Sequence, residues 1–598
     1  MSSLILGFSG LARFDPHKRE NLSNLAEPEY AIVQGADAAA ALVFGDRIVG
    51  AAAQERFDGV KHSAAFPADA ARWCLQKAGR SCREIDLVAH SFSYGAEREF
   101  FAGQSLYYKS LYTEVLDPRV NQRIAEDYLG IDLSGRFVPV PHHVAHAASA
   151  FLPSGFGEAV VFVSDGLGER HSASVYMGTK DGYDPVLQLP AHSSLGLLYG
   201  LVTMYLGFRF GDGEYKVMGL APLGNPARYT STFLEKFLTL LADGTYSVPL
   251  LLHNITDMDK ETFRPALRAL EEAFGPRRMP GAEIERRHMD VAAAVQAALE
   301  TAQFYLLRHI KATTGAARIC LAGGVALNCV MNGKLLRSRL FDQVYVQPAA
   351  GDDGAALGAA LHVARRSGAN PRGGGYPLLG PAYSAEECLA AVGDDRGFAI
   401  TPFFDDESLA LAVAKLIADG SVIGWFQGPM EFGPRALGGR SIVADPRSPQ
   451  MRDRINRLVK KREWFRPFAP AVLEESAGDL FEMEPTDRAA FESMLFVTYV
   501  RDGAPKMPAI THVDGTARVQ TVRAARSPRF WALINAFGKL SGVPALLNTS
   551  FNIAGKPIVR TPRQAIDTVV EAGLDALVLD RLLLIPSVPA RSVGEDLR

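Results

Sequence analysis

The 598-residue chain has only five cysteines, Cys74, Cys82, Cys320, Cys329 and Cys388, an odd, scattered set without CxxC spacing. That pattern excludes a disulfide framework and a thiolate zinc site, and the expected compartment is a reducing cytoplasm. An excess of either charge is also missing: 63 Lys+Arg stand against 66 Asp+Glu, a net charge of −3. A surface built as a whole to hold a polyanion would be basic, so nucleic acid is not expected as a partner and any anion site must be local. No apolar run approaches the length of a bilayer span, and the opening MSSLILGFSG lacks a basic flank, so neither a membrane segment nor a secretory leader is expected. What remains, 48% hydrophobic and 22% charged residues, is globular composition with room for two or more domains.

Short Val- and Ile-rich runs alternate with segments of helical period, the pattern of an α/β protein. Residues 3–8 read as a strand, and 40–44 and 47–51 as a hairpin turning at Gly45-Asp46. Residues 159–163 and 172–177 repeat the motif around SDGLGER, which points to a duplicated fold. Val291, Val295, Leu299, Ala302, Leu306 and Ile310 line one face of a helix that starts at Asp290 and closes at Gly315. Residues 317–321 lead into AGGVALN and 343–347 into GDDGAALGAALHVARR, each a strand, a Gly-rich turn and a helix. The aperiodic, Gly- and Pro-dense stretch 367–384 is the expected linker between domains at 1–366 and 385–598. A helix over 407–418 and a strand over 422–426 open the second domain, and the final ARSVGEDLR reads as a frayed tail.

In PHHVAHAASAF, His142 and His146 would share one helix face, a spacing that divalent metals favour and that also fits two satisfied surface histidines. Asp165 and Asp352, expected at strand ends beside glycines, shift the balance toward a nitrogen and oxygen site suited to Fe(II), Mn(II) or Zn(II). A GG turn is by itself usually a packing turn; near Asp37, Asp165 and Asp352, the turn at Gly323-Gly324 with Asn328 becomes an adenosine candidate, joined by Gly166 and Asp353.

Residues 431–470 hold ten Lys/Arg against four Asp/Glu, a local excess inside a nearly neutral chain. Arg435 follows Gly433-Pro434, Arg466 precedes Pro467, and Trp464, Phe465 and Phe468 interleave. Guanidiniums on stiff backbone beside apolar walls suit bidentate phosphate capture, with Lys460 as a point charge. Arg452, Arg454 and Arg457 read instead as a solvated helix face, and Arg518, Asn548, Asn552 and Arg560 as further polar groups at strand ends.

Eight blocks, QERFDGVKHSAAFP, HHVAHAASAF, SLGLLYGLVTMYLGF, GDGEYKVMGLAPLG, LAGGVALNCVMNGKL, GDDGAALGAAL, MEFGPRALGGRS and REWFRPFAPAVLEE, resemble in their order the NodU/CmcH family of O-carbamoyltransferases. The resemblance covers nearly the whole chain. It implies an α/β protein with an actin-like ATPase N-terminal domain of duplicated fold, similar to the tRNA threonylcarbamoyladenosine transferases (Kae1-like), and a YrdC-like α/β C-terminal domain. It also implies a chemistry: carbamoyl phosphate is cleaved in the C-terminal domain, its carbamoyl unit is activated with ATP as carbamoyl adenylate, and the N-terminal domain transfers it to a hydroxyl-bearing small-molecule acceptor with release of AMP. The family's metal ligands map onto His142, His146, Asp165 and Asp352, with Fe(II) favoured over Mn(II) or Zn(II) and Mg2+ accompanying ATP. Its carbamoyl phosphate cradle maps onto Arg435, Lys460 and Arg466, then Arg518, Asn548 and Arg560.

One position departs from the family pattern. In GADAAAAL, Ala36 stands where a histidine is expected, while Asp37, a catalytic candidate, is kept. That histidine would handle the acceptor's proton, so two expectations follow. Either transfer is slow and Ala36→His restores it, or Ala36 is a packing residue and the base lies elsewhere. An actin-fold sugar or acid kinase would share the Gly-rich turns and Asp37 but leave the HxxxH pair and the basic second domain unexplained. A catalytically idle nucleotide-binding regulator would form no pyrophosphate from ATP and carbamoyl phosphate.

Overall fold

The alternating apolar runs before residue 347 form two five-stranded sheets of identical strand order. In the computed structural model, which describes residues 3–371, 377–393, 397–460 and 463–587, β1 (Leu4–Ser9) pairs antiparallel with β2 (Ala39–Phe44). That strand turns at Gly45, φ 56°, into β3 (Arg47–Ala53). β4 (Leu87–His90) and β5 (Phe137–Pro139) then run parallel to β1. The second sheet repeats the plan. β6 (Ala159–Ser164), β7 (His171–Thr179) and β8 (Gly182–Pro190) are antiparallel neighbours, and β9 (Arg318–Ala322) and β10 (Gln343–Val346) run parallel to β6. The orders 3-2-1-4-5 and 8-7-6-9-10 are one arrangement used twice, the duplicated α/β fold that the repeated strand motif led one to expect.

Four helices of this unit matter for its chemistry: α1 (His142–Ser154), α2 (Arg286–Thr314), α3 (Cys329–Ser338) and α4 (Asp352–Arg366). α2 begins one turn before the expected Asp290 and ends at Gly315 in a left-handed cap, φ 67°. α4 lies against β1, β2 and α1 at very short range. A Cβ at Gly358 would stand 1.8 Å from the Ala145 carbonyl oxygen, so only glycine permits this approach. The crossing brings the start of α4 over the two histidines of α1. Asp352 is therefore the first residue of a helix and not a strand end as expected. A carboxylate there is favoured by the unpaired amides of the first turn.

Contacts divide the chain into Met1–Glu55 with His62–Gly375, and Arg56–Lys61 with Tyr376–Arg598. The second unit is an eight-stranded mixed sheet. Its strands are β11 (Phe398–Pro402), β12 (Ile423–Phe426), β13 (Arg440–Ala444), β14 (Ala469–Leu473), β15 (Gln520–Val522), β16 (Ala545–Ser550), β17 (Ala576–Leu579) and β18 (Leu582–Pro586), in the order 11-18-17-12-13-16-14-15. Helices Asp406–Ala418 and Pro528–Ser541 bury Leu409, Val413, Ile417, Phe530 and Phe537 against Trp425 and Val578. Each such side chain contributes roughly 1.5–3 kcal/mol of transfer free energy.

The segment Arg56–Lys61 belongs to this unit although sequence placed it in the first domain. Arg56 donates to the Gly433 carbonyl (3.3 Å), and Arg560 donates to the Arg56 carbonyl (3.1 Å) and covers the Phe57 ring at 4.6 Å. The expected linker is likewise shorter than its composition suggested. Phe432 donates to Pro377 O, Gly380 to Met430 O and Met430 to Pro381 O, so residues 377–381 are built into the second unit. Residues 372–376 and the tail 590–598 lie outside the described residues. Among the described residues no helix is long and apolar enough to cross a membrane.

Candidate functional site

α1 places His142 and His146 one turn apart, both fully buried. Asp165 follows β6, Asp352 opens α4, and one ligand atom from each of the four lies within 4.8 Å of all the others. The His142 Nε2 stands 3.1 Å from His146 Nε2, 3.2 Å from Asp165 Oδ2 and 3.4 Å from Asp352 Oδ1. His146 Nε2 is 3.8 Å and 3.7 Å from the same carboxylate oxygens. On the far side of the first ring, His142 Nδ1 donates to Ser91 O at 3.0 Å, which leaves Nε2 as a lone pair in the neutral imidazole. Two ring nitrogens and two carboxylate oxygens thus converge in one place, with the His142 Nε2 lone pair turned toward the carboxylates. Such a constellation calls for positive charge, supplied by a divalent ion or by a second proton on a ring. Burial opposes charge on His142, yet Asp352 and Asp165 drive its pKa well above the ordinary imidazole value. Burial also opposes ionised Asp165, and the two histidines hold it far below the usual carboxylate range. Two imidazoles and two carboxylates fit a first-row divalent metal.

Supporting groups fix this geometry. The Phe92 ring stacks on His142 at 4.2 Å and 6°. Glu169 accepts from the backbone N–H of His142 (2.9 Å) and of Ser93 (2.8 Å), capping α1 and tying it to the strand-end loop after β4. Sequence reasoning missed Glu169, because the contact is made by a loop that returns across the sheet. Glu169→Ala should loosen the first turn of α1 by about 1–2 kcal/mol. Hydrogen exchange of the peptide covering residues 140–150 checks this; unchanged protection would show that the cap is idle.

The Gly-rich turn after β9 belongs to the same site. Gly323 has φ 88° and a Cβ there would lie 2.3 Å from Ser164 O, while the Gly324 N–H donates to Asp165 Oδ1 at 2.9 Å. Gly166 offers its carbonyl to Ser194 Oγ (2.6 Å). Asn328 caps α3 by accepting from Met331 N (3.1 Å) and pairs with Gln296 through both amide atoms, at 2.9 and 3.2 Å. Its side chain is committed to the fold. Asp353 accepts from Gly354 N.

In the second unit the loop before β13 is organised around a carboxylate. Glu431 Oε1 accepts from the N–H groups of Leu437 (2.7 Å), Gly439 (2.7 Å) and Arg440 (3.0 Å). Arg440 is wholly buried over the Phe426 ring at 3.6 Å and donates to the carbonyls of Gln427, Gly428, Gly439 and Pro381. Neither residue was singled out in the sequence, although both stand in MEFGPRALGGRS. Asn548 is also buried; it donates to Ala436 O (3.1 Å) and Gln520 Oε1 (2.8 Å), and its own Oδ1 has no hydrogen bond. Arg435 thus stands between Arg56-bound Gly433 and Asn548-bound Ala436. Arg466 pairs with Glu463 (3.5 Å), and Arg518 closes the short strand Thr516–Arg518. Arg560 is engaged by Arg56 O and the Tyr383 hydroxyl (3.1 Å). Arg454, expected on a solvated face, instead bonds Asp575 at 2.8 Å and Gly420 O at 2.6 Å. The side chain of Lys460 lies outside the described residues.

The family model described as carbamoyltransferase N-terminus matches residues 33–361, and the one described as carbamoyltransferase C-terminus matches residues 414–585. Nodulation protein NolNO of Sinorhizobium fredii is 42% identical over 92% of this chain and 78% of its own length. Nodulation protein NolO of Bradyrhizobium diazoefficiens is 44% identical over 74% of this chain and 78% of its own. The uncharacterized protein sll1178 of Synechocystis sp. is 39% identical over 92% of this chain and 95% of its own.

Proposed function

The chain belongs to the carbamoyltransferase family, and from that premise we propose that it forms carbamoyl adenylate from ATP and carbamoyl phosphate and transfers the carbamoyl group to a hydroxyl of a natural product or sugar. The observation that carries this reading is the chemical contrast between two sites, a cluster of two imidazoles and two carboxylates in the first unit and a guanidinium-bearing loop in the second. In the second unit, which the sequence reading likens to YrdC, Arg435 and Arg466 bind the phosphate of carbamoyl phosphate, and the buried Asn548 Oδ1 accepts from the carbamoyl amide. Water takes the phosphoryl group, the bridging P–O bond breaks to release inorganic phosphate and carbamate, and the carbamate oxygen attacks the α-phosphorus of ATP, displacing pyrophosphate. In the first unit the acceptor oxygen attacks the carbamoyl carbon, and AMP departs with the bonding pair.

His142, His146, Asp165 and Asp352 would hold one divalent ion, Fe(II) before Mn(II) or Zn(II), with Mg2+ arriving on ATP. When bound, that ion supplies positive charge for a carbonyl or phosphate oxygen. The protein's own part is positional. Ser91 and Phe92 set the first ring, Glu169 sets the start of α1, and the Gly324 amide orients Asp165. Membership of the family displaces the sugar or acid kinase alternative, which had no use for the histidine pair.

Loss of one charge-assisted contact to a buried phosphate is worth on the order of 1.5–3 kcal/mol. Arg466→Ala should therefore raise the carbamoyl phosphate concentration needed for pyrophosphate release roughly 10- to 150-fold, while AMP release from supplied carbamoyl adenylate stays near the wild-type rate. Pyrophosphate assays and AMP chromatography measure the two halves. An equal fall in both would defeat the division of labour, and no carbamoyl phosphate-dependent pyrophosphate from the unaltered chain would defeat the reading itself.

A further inference from the structure

His62, which no reading of the sequence placed in a site, has both ring nitrogens on carboxylates. Its Nδ1 lies 2.7 Å from Asp37 Oδ1 and its Nε2 3.1 Å from Asp212 Oδ1. The backbone on both sides of the shorter contact is left-handed, with φ 59° at Asp37 and 56° at His62. Only seven non-glycine residues among the described ones have positive φ, and two of them are this bonded pair. Such conformations cost on the order of 1–3 kcal/mol and persist where surrounding structure fixes them, often at functional sites. Here the His62 N–H donates to Glu55 Oε2 (2.9 Å), and Ser9 Oγ donates to the Asp37 carbonyl (3.3 Å).

The trio also stands at the reacting end of the unit. Gln34, three residues before Asp37, donates to the carbonyls of Leu167 (2.8 Å) and Gly168 (2.9 Å), in the loop that Asp165 opens. The Asp37 side chain keeps 40% of its surface exposed, and its Oδ2 takes no hydrogen bond among the described residues. One oxygen is thus fixed and the other is presented outward.

Resting on the carbamoyl-transfer reading, we propose that Asp37, His62 and Asp212 are the acceptor-side proton station of this enzyme. Asp37 takes the hydroxyl proton, and His62, anchored by Asp212, is the positioning residue that aims it. As the acceptor oxygen bonds to the carbamoyl carbon, its proton passes to Asp37 Oδ2 and the bond from that carbon to the phosphate oxygen of AMP breaks. The imidazole missing at Ala36 is in this arrangement supplied from another segment. Burial alone would lower the proton affinity of His62, but the two carboxylates push its pKa up to about 10, so it serves as a fixed cation and the carboxylate as the base.

The test uses the full chain and water as the hydroxyl donor. In single turnovers with enzyme in excess of ATP, pyrophosphate release reports adenylate formation, and AMP release reports transfer to water. His62→Asn keeps a side chain that tolerates left-handed backbone. It should slow AMP release at least 10-fold and Asp37→Asn 10²- to 10⁴-fold, both with pyrophosphate bursts within about threefold of wild type. Nitrogen-15 spectra of histidine-labelled protein at pH 8, where an ordinary imidazole is neutral, should show both ring nitrogens of His62 protonated, and Asp212→Asn should remove that signature. AMP release unchanged in His62→Asn, a parallel fall in both products, or a neutral His62 at pH 8 would each overturn the proposal. A wild-type chain that makes no carbamoyl phosphate-dependent pyrophosphate would overturn the underlying reading and this proposal with it.

Discussion

On the proposed reading, a His142→Ala, His146→Ala double variant will lose divalent-ion binding and carbamoyl transfer together. Each ring would be a direct donor in the proposed metal site, and removing even an outer partner of a metal ligand lowers affinity roughly 10- to 100-fold. Losing two direct donors must exceed that. The two carboxylates left behind, Asp165 and Asp352, face each other in a buried site without the imidazoles that hold Asp165 ionised. One of them is then expected to take a proton, which weakens the site again. His143→Ala is the control on the same helix. Its Nδ1 bonds Ser174 Oγ at 2.7 Å, outside the cluster, so that variant should keep its metal. Elemental mass spectrometry after anaerobic reconstitution with Fe(II) reads all three proteins. Wild-type metal content in the double variant would remove these four residues from consideration as ligands.

The histidine pair was legible in the sequence because its spacing is a property of one helix turn, and a local signal needs no tertiary information. Asp165 was legible for a related reason, since loops at the carboxyl ends of strands collect ligands. Asp352 joins the cluster by a different route from the one expected: it opens α4 and does not end β10. The groups that hold the site were not legible. Glu169 reaches the start of α1 from a loop 27 residues away, and His62 meets Asp212 across 150 residues. Such contacts depend on sheet packing that no period encodes. The same limit explains Arg454 and Arg560. Both read as surface or ligand charges, and both are held by groups more than 100 residues distant in sequence.

The second unit offers an equally sharp expectation at Glu431. Its Oε1 gathers three backbone amides of the loop that carries Arg435, and its charge acts on Arg440, whose side chain has no surface exposure at all. Burial pushes the Arg440 pKa down to about 10, with Glu431 opposing that fall. Glu431→Ala therefore strands three amide donors and removes the charge that opposes the fall in the Arg440 pKa. Leaving a buried donor unsatisfied costs roughly 1–3 kcal/mol, and three amides lose their acceptor together. Glu431→Gln retains an acceptor oxygen and loses only the charge, so it should fall between wild type and alanine. Three of the four tryptophans, Trp425, Trp464 and Trp531, belong to this unit, so fluorescence-monitored urea unfolding follows it selectively. Carbamoyl phosphate-dependent pyrophosphate release should vanish in Glu431→Ala while reconstituted metal stays at the wild-type level, because the ligands lie in the other unit. A Glu431→Ala protein with wild-type unfolding and wild-type pyrophosphate release would show that the amide cluster shapes nothing the reaction needs.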